Sequence, residues 1–225
     1  MIAIDDTLLS VLEDRMGTLL TARRTGRLTP EAEAEMSVIS QTLTRPMSKR
    51  APFCVLMAGL PGSGKTTLSR ALTDRGFLRL CPDEEMYRRH GVYGVDFPRG
   101  TFPILERPVL EDVAVELREL LRARHDVVVD HGFWTPGDRA RWQAIAYNAG
   151  ATPVLVYLAA SHDELWSRIK KRNEDHAHDP NSIYFSESDL QRYRTRFVPP
   201  ERDEPHVTFD GDPATVFAAL GINCS

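Results

Sequence analysis

The sequence contains little cysteine and lacks any long apolar run. Of its 225 residues only three are cysteine, and no two of them form a C-x-x-C pair. This usage favours free thiols in a reducing compartment. The absence of a long apolar stretch excludes a membrane-spanning helix. Since the first residues also lack a basic region and a signal-peptide core, we expect a cytoplasmic protein without a membrane partner.

The chain also lacks a basic excess, with a formal net charge of −4. A dedicated nucleic-acid binder usually carries surplus Lys and Arg. This overall charge argues against a nucleic-acid partner, although it does not exclude a local basic groove. The hydrophobic share of 42% and the charged share of 27% are those of an ordinary globular protein. The length suits one α/β domain with extra structure at one end.

A glycine-rich motif is the most informative feature of the chain. Residues 59–67 read Gly-Leu-Pro-Gly-Ser-Gly-Lys-Thr-Thr and match G-x-x-x-x-G-K-[ST]. Residues 53–58 before it have strand character, and residues 68–72 after it have helical spacing. A strand, a tight turn and a helix start together form a phosphate cradle, because backbone N–H groups and the helix N-terminus point at the anion. The motif therefore predicts a nucleotide-binding P-loop.

Each residue type in this loop has an expected role. Gly62 and Gly64 permit backbone angles that a Cβ would block. Lys65 would reach the β- and γ-phosphates, and the Thr66 hydroxyl would ligate Mg²⁺. ATP and Mg²⁺ are the expected cofactors, while direct base contacts that would separate ATP from GTP cannot be read from the sequence. The predicted nucleotide-binding residues are Gly59, Pro61, Gly62, Ser63, Gly64, Lys65, Thr66 and Thr67.

Strand and helix patterns alternate beyond the loop. Further strands are expected at 77–81, 126–130, 153–158 and 206–209, and helices at 108–124, 135–149, 161–172, 187–197 and 213–220. The segment 84–106 has no clean periodicity. Repeated βα units predict an α/β protein with a parallel sheet and helices on both faces. Sites in such sheets lie beyond the carboxyl ends of the strands.

The pattern of the first fifty residues predicts a helical extension. Residues 51–225 are expected to form the main domain. Apolar residues recur at helical spacing in two stretches, and Thr29-Pro30 is typical of a helix start. The apolar stripe of this hairpin could pack on the main domain. Alternatively, it could form a partner surface or a homodimer contact.

Two aspartates at strand ends are candidates for the chemistry. Asp130 follows three valines, as a Walker B aspartate does, and would hold Mg²⁺ with Thr66. Asp83 ends the second predicted strand and would accept the proton of a substrate hydroxyl or hold that hydroxyl in line. The two roles could be exchanged, so the carboxylate that contacts the metal stays open. A strand-end aspartate that caps a turn is the structural alternative for each.

Basic residues near the end of the helix at 161–172 are candidates for charge stabilisation. Arg168 and Arg172 lie four residues apart, on one helical face, and precede a polar segment at about 173–186. This layout favours a lid that delivers an arginine to the moving phosphoryl group and excludes water. A solvated helix end that complements the helix dipole is the alternative.

The acceptor is expected between the segment 84–106 and the residues after Asp130. Arg88 and Tyr93 lie in the first stretch, and His131 and Trp134 in the second. With Asp83 and Asp130 they form the predicted substrate-binding set. Aromatic faces with mixed charges suit a polar, ring-containing molecule such as a sugar, nucleoside or natural product. A connector packed by its own aromatic side chains is the alternative for the first stretch.

With these positions assigned, the chain resembles a known group of P-loop kinases. They are often labelled AAA-type ATP-binding proteins and are related to zeta toxin, chloramphenicol phosphotransferase and polynucleotide 5′-hydroxyl kinase. The likeness covers about 53–209 and rests on 59–67, Pro82-Asp83, 127–134, 168–173 and the stretch 197–204. It implies a three-layer P-loop NTPase fold with five strands in the order 2-3-1-4-5. It also implies that Asp83 activates the acceptor hydroxyl and that lid arginines hold phosphate.

The leading functional prediction is an ATP-dependent phosphotransferase that acts on a small-molecule hydroxyl. Lys65, Asp83, Arg168 and Arg172 are its predicted catalytic residues. A polynucleotide 5′-hydroxyl kinase is the nearest enzymatic alternative. A nucleotide-dependent switch or binding module with slow hydrolysis is the alternative from another class. A GTPase is disfavoured because no Asn-Lys-x-Asp segment is present.

Overall fold

The computed structural model describes residues 6–43, 50–98, 100–174 and 184–222. The chain divides into two compact units, residues 1–50 and residues 51–225. None of the described helices is both long enough and apolar enough to cross a membrane.

The first unit is a pair of helices, α1 (Asp6–Arg24) and α2 (Pro30–Leu43). Gly26, with φ of 66°, follows the end of α1. The Ala32 N–H donates to Thr29 Oγ1 at 3.2 Å, so that Thr29 caps the start of α2. The Thr29 cap agrees with the helix start that the sequence indicates at Thr29-Pro30.

The two helices bury part of their apolar stripes within this unit. Leu19 and Ile39 are buried together and pack with Met16, Leu28, Ala32 and Met36. The Arg15 guanidinium donates two hydrogen bonds of 2.8 Å to the Glu35 carboxylate on the exposed side. The hairpin thus closes on its own apolar residues, and a homodimer contact through it stays a prediction.

The second unit is an α/β sandwich. Its elements are β1 (Phe53–Ala58), α3 (Lys65–Thr73), β2 (Leu78–Leu80), α4 (Pro82–His90), α5 (Phe102–Arg122), β3 (Val127–Gly132), α6 (Pro136–Asn148), β4 (Thr152–Tyr157), α7 (His162–Glu174), α8 (Glu187–Arg194), β5 (Val207–Thr208) and α9 (Pro213–Ala219). The strands form one sheet in the order β2-β3-β1-β4-β5, and every pair is parallel. The predicted fold and strand order are confirmed.

The central strands are apolar because helices cover both faces of the sheet. Val55 and Met57 of β1 pack in one cluster with Leu68 and Leu72 of α3 and with residues of α9. Side chains alternate along a strand, so Cys54 and Leu56 point to the opposite face. There α6 contacts β1 and β4, and α5 contacts β3. Valines at 127–129 are completely buried, as expected for a strand covered on both faces.

An irregularity in the sheet shapes the end of β3. Leu56 pairs with Val129, but the next residue, Met57, pairs with Gly132. Asp130 and His131 are therefore left out of the regular pairing with β1, as in a β-bulge. Because the bulge occurs at the carboxyl end of β3, it displaces both residues at the edge where the P-loop begins.

The segment after β2 differs from the sequence prediction. It contains α4, and α5 begins at Phe102 rather than at Pro108, which lies inside the helix. Proline lacks an N–H and disfavours helix for its predecessor, which is why it indicates a helix start. Here the buried face of α5, which includes Val109, Val113 and Leu117, stabilises the helix despite this cost. Glu106 consequently lies on a helix and not in a connector.

Candidate active site

The P-loop joins β1 to α3 and has the backbone geometry of a cradle. Gly62 and Gly64 have φ of 82° and 99°, which other residues rarely adopt. A Cβ on Gly62 would lie 3.0 Å from Leu165 O and 3.1 Å from Ile169 Cγ1 of α7. Glycine is therefore required at 62 both for the turn and for the close approach of α7.

A buried hydroxyl in the loop supports its fit to a nucleotide. Ser63 is 4% exposed, and its Oγ has no hydrogen-bond partner among the described residues. A Cβ on Gly59 would lie only 2.5 Å from that oxygen. Buried hydroxyls are normally paired, so an orphaned one within a phosphate-binding motif indicates that a ligand completes it. Pro61 of the same loop is buried, whereas Thr66 and Thr67 are exposed in the first turn of α3.

Lys65 lies folded over the start of the loop. Its Nζ donates to Gly59 O at 3.2 Å and to Leu60 O at 3.0 Å. An ammonium group has three N–H donors, so one is left for a phosphate oxygen. Burial lowers the pKa of Lys65, while the charges of Asp130 and Asp83 act in the opposite direction. Both carboxylates thus stabilise the charged form of the ammonium group.

Asp130 has protein partners that the sequence analysis did not identify. It is 4% exposed, and its Oδ2 accepts hydrogen bonds from Ser69 Oγ at 3.0 Å and from Arg79 Nη2 at 2.6 Å. Arg79 Nε adds a third bond to the same oxygen at 3.0 Å. Arg79 lies in the short strand β2, next to β3, and no local sequence signal marks this long-range pair.

The Arg79 pairing bears on the predicted metal site. A guanidinium group already compensates the Asp130 charge, so Mg²⁺ would gain less from this carboxylate than from an unpaired one. All hydrogen bonds that Asp130 accepts within the described residues go to Oδ2, which leaves Oδ1 for a metal-bound water. Thr66 with Asp130 stays the predicted metal-binding pair.

Helix α7 brings both predicted lid arginines to the P-loop. Its buried residues Leu165 and Ile169 pack against Leu60, which fixes the helix beside the loop. Arg168 Nη1 lies 3.4 Å from Gly62 O. Arg172 lies with its guanidinium 5.3 Å from the Phe185 ring, and its charge contributes to lowering the pKa of Lys65. Of the predicted lid, residues 175–183 lie outside the described residues.

Asp83 lies in the first turn of α4, facing two groups from other elements. One carboxylate oxygen each of Asp83 and Glu106 and one ring nitrogen of His131 all lie within 4.8 Å of one another. Burial raises the pKa of Glu106 to about 7, and the charges of Asp83 and Asp138 add to this shift. Burial lowers the pKa of His131, while the negative charge of Asp83 acts to raise it. The structure thus assembles an acceptor-side cluster, which we define as Asp83, Glu106 and His131.

Glu106 is the site residue that sequence reasoning missed. The spacing of Phe102, Leu105 and Val109 continues the helical pattern of α5 upstream of Pro108, and it could have indicated that Glu106 is helical. Its proximity to Asp83, by contrast, depends on how α4 and α5 pack, which no local pattern encodes.

Other predicted substrate residues are distributed differently. Arg88 donates two hydrogen bonds to the Glu85 carboxylate, at 2.8 and 2.6 Å, within α4. Tyr93 packs against the rings of Phe97 and Phe102, with centroid distances of 5.5 and 5.4 Å. This aromatic cluster agrees with the alternative that the connector is packed by its own rings. The described contacts therefore place Arg88 and Tyr93 in structural roles, and their contact with an acceptor stays a prediction.

Trp134 lies two residues after β3, beside the loop. A Cβ on Gly132 would lie 2.5 Å from Trp134 Nε1 and 2.9 Å from Gly59 O. The indole nitrogen is buried and lacks a hydrogen-bond partner in the described part of the chain. The Trp134 ring packs on Tyr193 of α8 at a centroid distance of 4.8 Å. These two rings form an aromatic wall at the rim of the site.

A buried arginine holds this wall in place. Arg139 of α6 is 0% exposed and donates to both Glu204 oxygens, at 2.6 and 2.7 Å, and to Val198 O at 2.8 Å. The Val198 N–H in turn donates to Trp134 O at 2.9 Å. The stretch 197–204, singled out in the sequence, is thereby fastened to the end of β3.

The raised pKa of Glu106 predicts a pH-dependent effect on stability. A carboxyl group whose folded-state pKa rises from 4.5 to about 7 favours folding at low pH, and this contribution is lost as the pH rises through 7. We expect Glu106→Gln to be more stable than the wild type at pH 8 by about 3 kcal/mol, and equally stable at pH 4. Urea unfolding at both pH values measures the difference.

Glu119→Gln, an exposed position on the same helix, provides the control for a simple loss of negative charge. It should leave the free energy of unfolding nearly unchanged at both pH values. A Glu106→Gln effect of the same size at pH 4 and pH 8 would contradict the assignment.

Solved structures of known proteins share this fold. A provisionally assigned kinase from Chloroflexus aurantiacus is 24% identical, with a TM-score of 0.60, over 76% of this chain and 98% of that chain. A sugar kinase from Janibacter sp. HTCC2649 is 17% identical, with a TM-score of 0.52, over 76% and 94% of the two chains. A gluconokinase from Sinorhizobium meliloti is 19% identical, with a TM-score of 0.50, over 77% and 94%. No curated protein matches the chain.

A family match covers the region that contains the site. Residues 54–200 match the AAA domain family AAA_33, a span that is more than half of the chain and runs from β1 past α8. It includes the P-loop, the acceptor-side cluster and both arginines of α7. The predicted resemblance to AAA-type P-loop proteins is thus confirmed. The chain belongs to the AAA domain family AAA_33.

Proposed function

We propose that the protein is an ATP-dependent kinase that transfers the γ-phosphoryl group to a hydroxyl of a small molecule, such as a sugar, nucleoside or natural product. The observation that carries this proposal is that the P-loop, which follows β1, and the exposed Asp83, which follows β2, lie at the same carboxyl edge of the parallel sheet. The Asp83 charge acts on both Lys65 of the loop and His131 of the bulge. A phosphoryl donor and an alcohol could therefore be held between them.

The residues of the site would have different roles in phosphoryl transfer. The loop amides, Lys65 and the Thr66 hydroxyl bind the triphosphate and its metal. When bound, ATP and Mg²⁺ supply the phosphoryl group and charge compensation: the acceptor oxygen bonds to the γ-phosphorus as the bond to ADP breaks, and the hydroxyl proton passes to Asp83. Arg168 and Arg172 lie where they could compensate charge on the moving group. The sugar kinase and gluconokinase named above share the fold, whereas support for the reaction comes from the site itself.

A screen for phosphorylated products tests the proposal. The protein is incubated with Mg²⁺ and ATP labelled at the γ-position, together with a panel of sugars, nucleosides, amino alcohols and antibiotics. We expect label to move to at least one small-molecule hydroxyl, and Lys65→Ala to abolish this transfer. An oligonucleotide with a free 5′-hydroxyl forms a separate arm, measured at low and high salt because strand binding would weaken with salt.

The outcomes separate the candidate functions. Transfer to the oligonucleotide alone would replace the small-molecule proposal by polynucleotide kinase activity. Nucleotide binding without transfer to any member of the panel would overturn the kinase proposal and favour a nucleotide-dependent switch.

A further inference from the structure

We propose that Glu106 contacts the acceptor beside Asp83, so that each carboxyl group accepts a hydrogen bond from a different donor on the same acceptor molecule. The acceptor would then be a vicinal diol or an amino alcohol: one hydroxyl receives phosphate, and a neighbouring hydroxyl or amino group is held by Glu106. This inference rests on the proposed kinase function and narrows its substrate class. It begins from the acceptor-side cluster, in which three polar atoms from three elements lie within 4.8 Å.

The position of Glu106 follows from the early start of α5. Glu106 is the fifth residue of the helix and lies three residues before Val109, whose side chain is completely buried. Helix α5 packs against α4, which carries Asp83 in its first turn. Glu106 thus lies on one helix, α5, that packs against another, α4. A side chain that contacts substrate is positioned more precisely on such rigid elements than on a loop.

The cluster lacks protein partners for its polar atoms. Within residues 50–98, 100–174 and 184–222, neither the Asp83 nor the Glu106 carboxyl accepts a hydrogen bond, and His131 makes only a ring contact with Phe133. The Glu106 carboxyl and the His131 ring are half-buried beside the exposed Asp83, and polar groups that lose water without gaining a replacement partner are costly. An acceptor molecule with several donors would satisfy them.

The surrounding charges favour a neutral or cationic acceptor over an anionic one. Glu106 is influenced by Asp83 from α4 and by Asp138 from α6, and Arg196 opposes them from the segment after α8. His131 from β3 lies against it as well. Asp138 already accepts a hydrogen bond of 2.6 Å from Thr135 Oγ1, so it acts on the site through its charge. An acceptor molecule with two hydrogen-bond donors would therefore bind the adjacent Asp83 and Glu106 carboxyl groups better than one with a single donor.

The test compares two substitutions at Glu106 on the acceptor found in the labelled-ATP screen. Glu106→Met removes the hydrogen-bond acceptor but keeps the length of the side chain, and Glu106→Gln keeps one acceptor oxygen. We expect Glu106→Met to raise the KM for the acceptor at least about tenfold, with a smaller change in kcat and none in the KM for ATP. Glu106→Gln should recover most of the loss for a diol and little for an amino alcohol, whose charge needs a carboxylate.

An acceptor analogue that lacks the neighbouring hydroxyl or amino group completes the comparison. It should react about 10- to 100-fold less efficiently than the full acceptor with the wild type, and with nearly equal efficiency with Glu106→Met. Glu119→Gln should behave as the wild type throughout. If Glu106→Met misfolds, which its KM for ATP would reveal, the same comparison is made with Glu106→Gln and Glu106→Asp.

The outcomes distinguish this inference from the function on which it rests. If an acceptor is phosphorylated and the Glu106 variants discriminate against the analogue as strongly as the wild type, only the role of Glu106 is wrong. If the acceptor has a single donor group, the substrate class is wrong. If no acceptor is phosphorylated at all, the kinase proposal fails and this inference fails with it.

Discussion

Replacing Asp83 by asparagine should reduce phosphoryl transfer about 10³-fold and leave ATP binding largely intact. An amide of the same shape cannot receive a proton from the acceptor hydroxyl. The side chain keeps its place in the first turn of α4 and its distance from Glu106 and His131. The loss should therefore be in the transfer step and not in folding or nucleotide affinity.

The measurement requires two numbers for each variant. The transfer rate is determined at saturating ATP with the acceptor from the screen, and the dissociation constant for a non-hydrolysable ATP analogue is determined separately. Residual transfer of about 0.1% with an unchanged dissociation constant is the expected result. A fall in both would instead indicate that Asp83 helps to hold the nucleotide or its metal, the role that the sequence left open between Asp83 and Asp130.

Glu84→Gln is the matched control, because this residue also lies in the first turn of α4. Its carboxylate accepts a hydrogen bond of 2.8 Å from Arg79 on the surface and does not belong to the acceptor-side cluster. Its removal should change transfer less than about twofold. Transfer by Asp83→Asn within about tenfold of the wild-type rate would show that another group activates the acceptor.

The fold and the nucleotide end of the site could be predicted because their signals are local. The motif at 59–67 consists of consecutive residues. A buried strand such as 127–129 is indicated by its uninterrupted run of apolar residues. The rule that parallel strands end at one edge then places Asp83 and Asp130 together. The order of the strands came from the resemblance, since periodicity alone does not order a sheet.

The acceptor end could not be predicted to the same degree, because its geometry depends on packing. Pro108 is typical of a helix start, and only the apolar face of α5 reveals that the helix continues before it. The bond between Arg79 and Asp130 joins two strands that are neighbours in space but far apart in sequence. The bulge after Val129, which displaces Asp130 and His131 from the regular register, has no recognisable residue pattern either.

Arg139 is another residue whose importance only the tertiary structure shows. Its position on α6 gives no hint of burial, yet its side chain is 0% exposed. The fold tolerates the charge because the Glu204 carboxylate accepts from Nε and Nη2 of Arg139, and the Val198 carbonyl accepts from Nη1. The stretch 197–204 thus supplies the partner that this buried cation requires.

Arg139→Met should lower the free energy of unfolding by about 4 kcal/mol, because it leaves Glu204 and the Val198 carbonyl without their donor in a half-buried position. Urea unfolding at pH 7 measures the loss. Arg141→Met on the same helix is the control: its ion pair with Glu111, at 2.7 Å, is exposed and should contribute no more than about 0.5 kcal/mol.

The double variant Arg139→Met/Glu204→Gln separates pairing from packing. Because it removes both charges, it should recover part of the stability lost in the single variant. Equal losses in Arg139→Met and Arg141→Met would show that the buried pair does not stabilise the fold. If the prediction holds, detachment of 197–204 should also loosen Trp134 through its bond with Val198, so acceptor binding should weaken before nucleotide binding does.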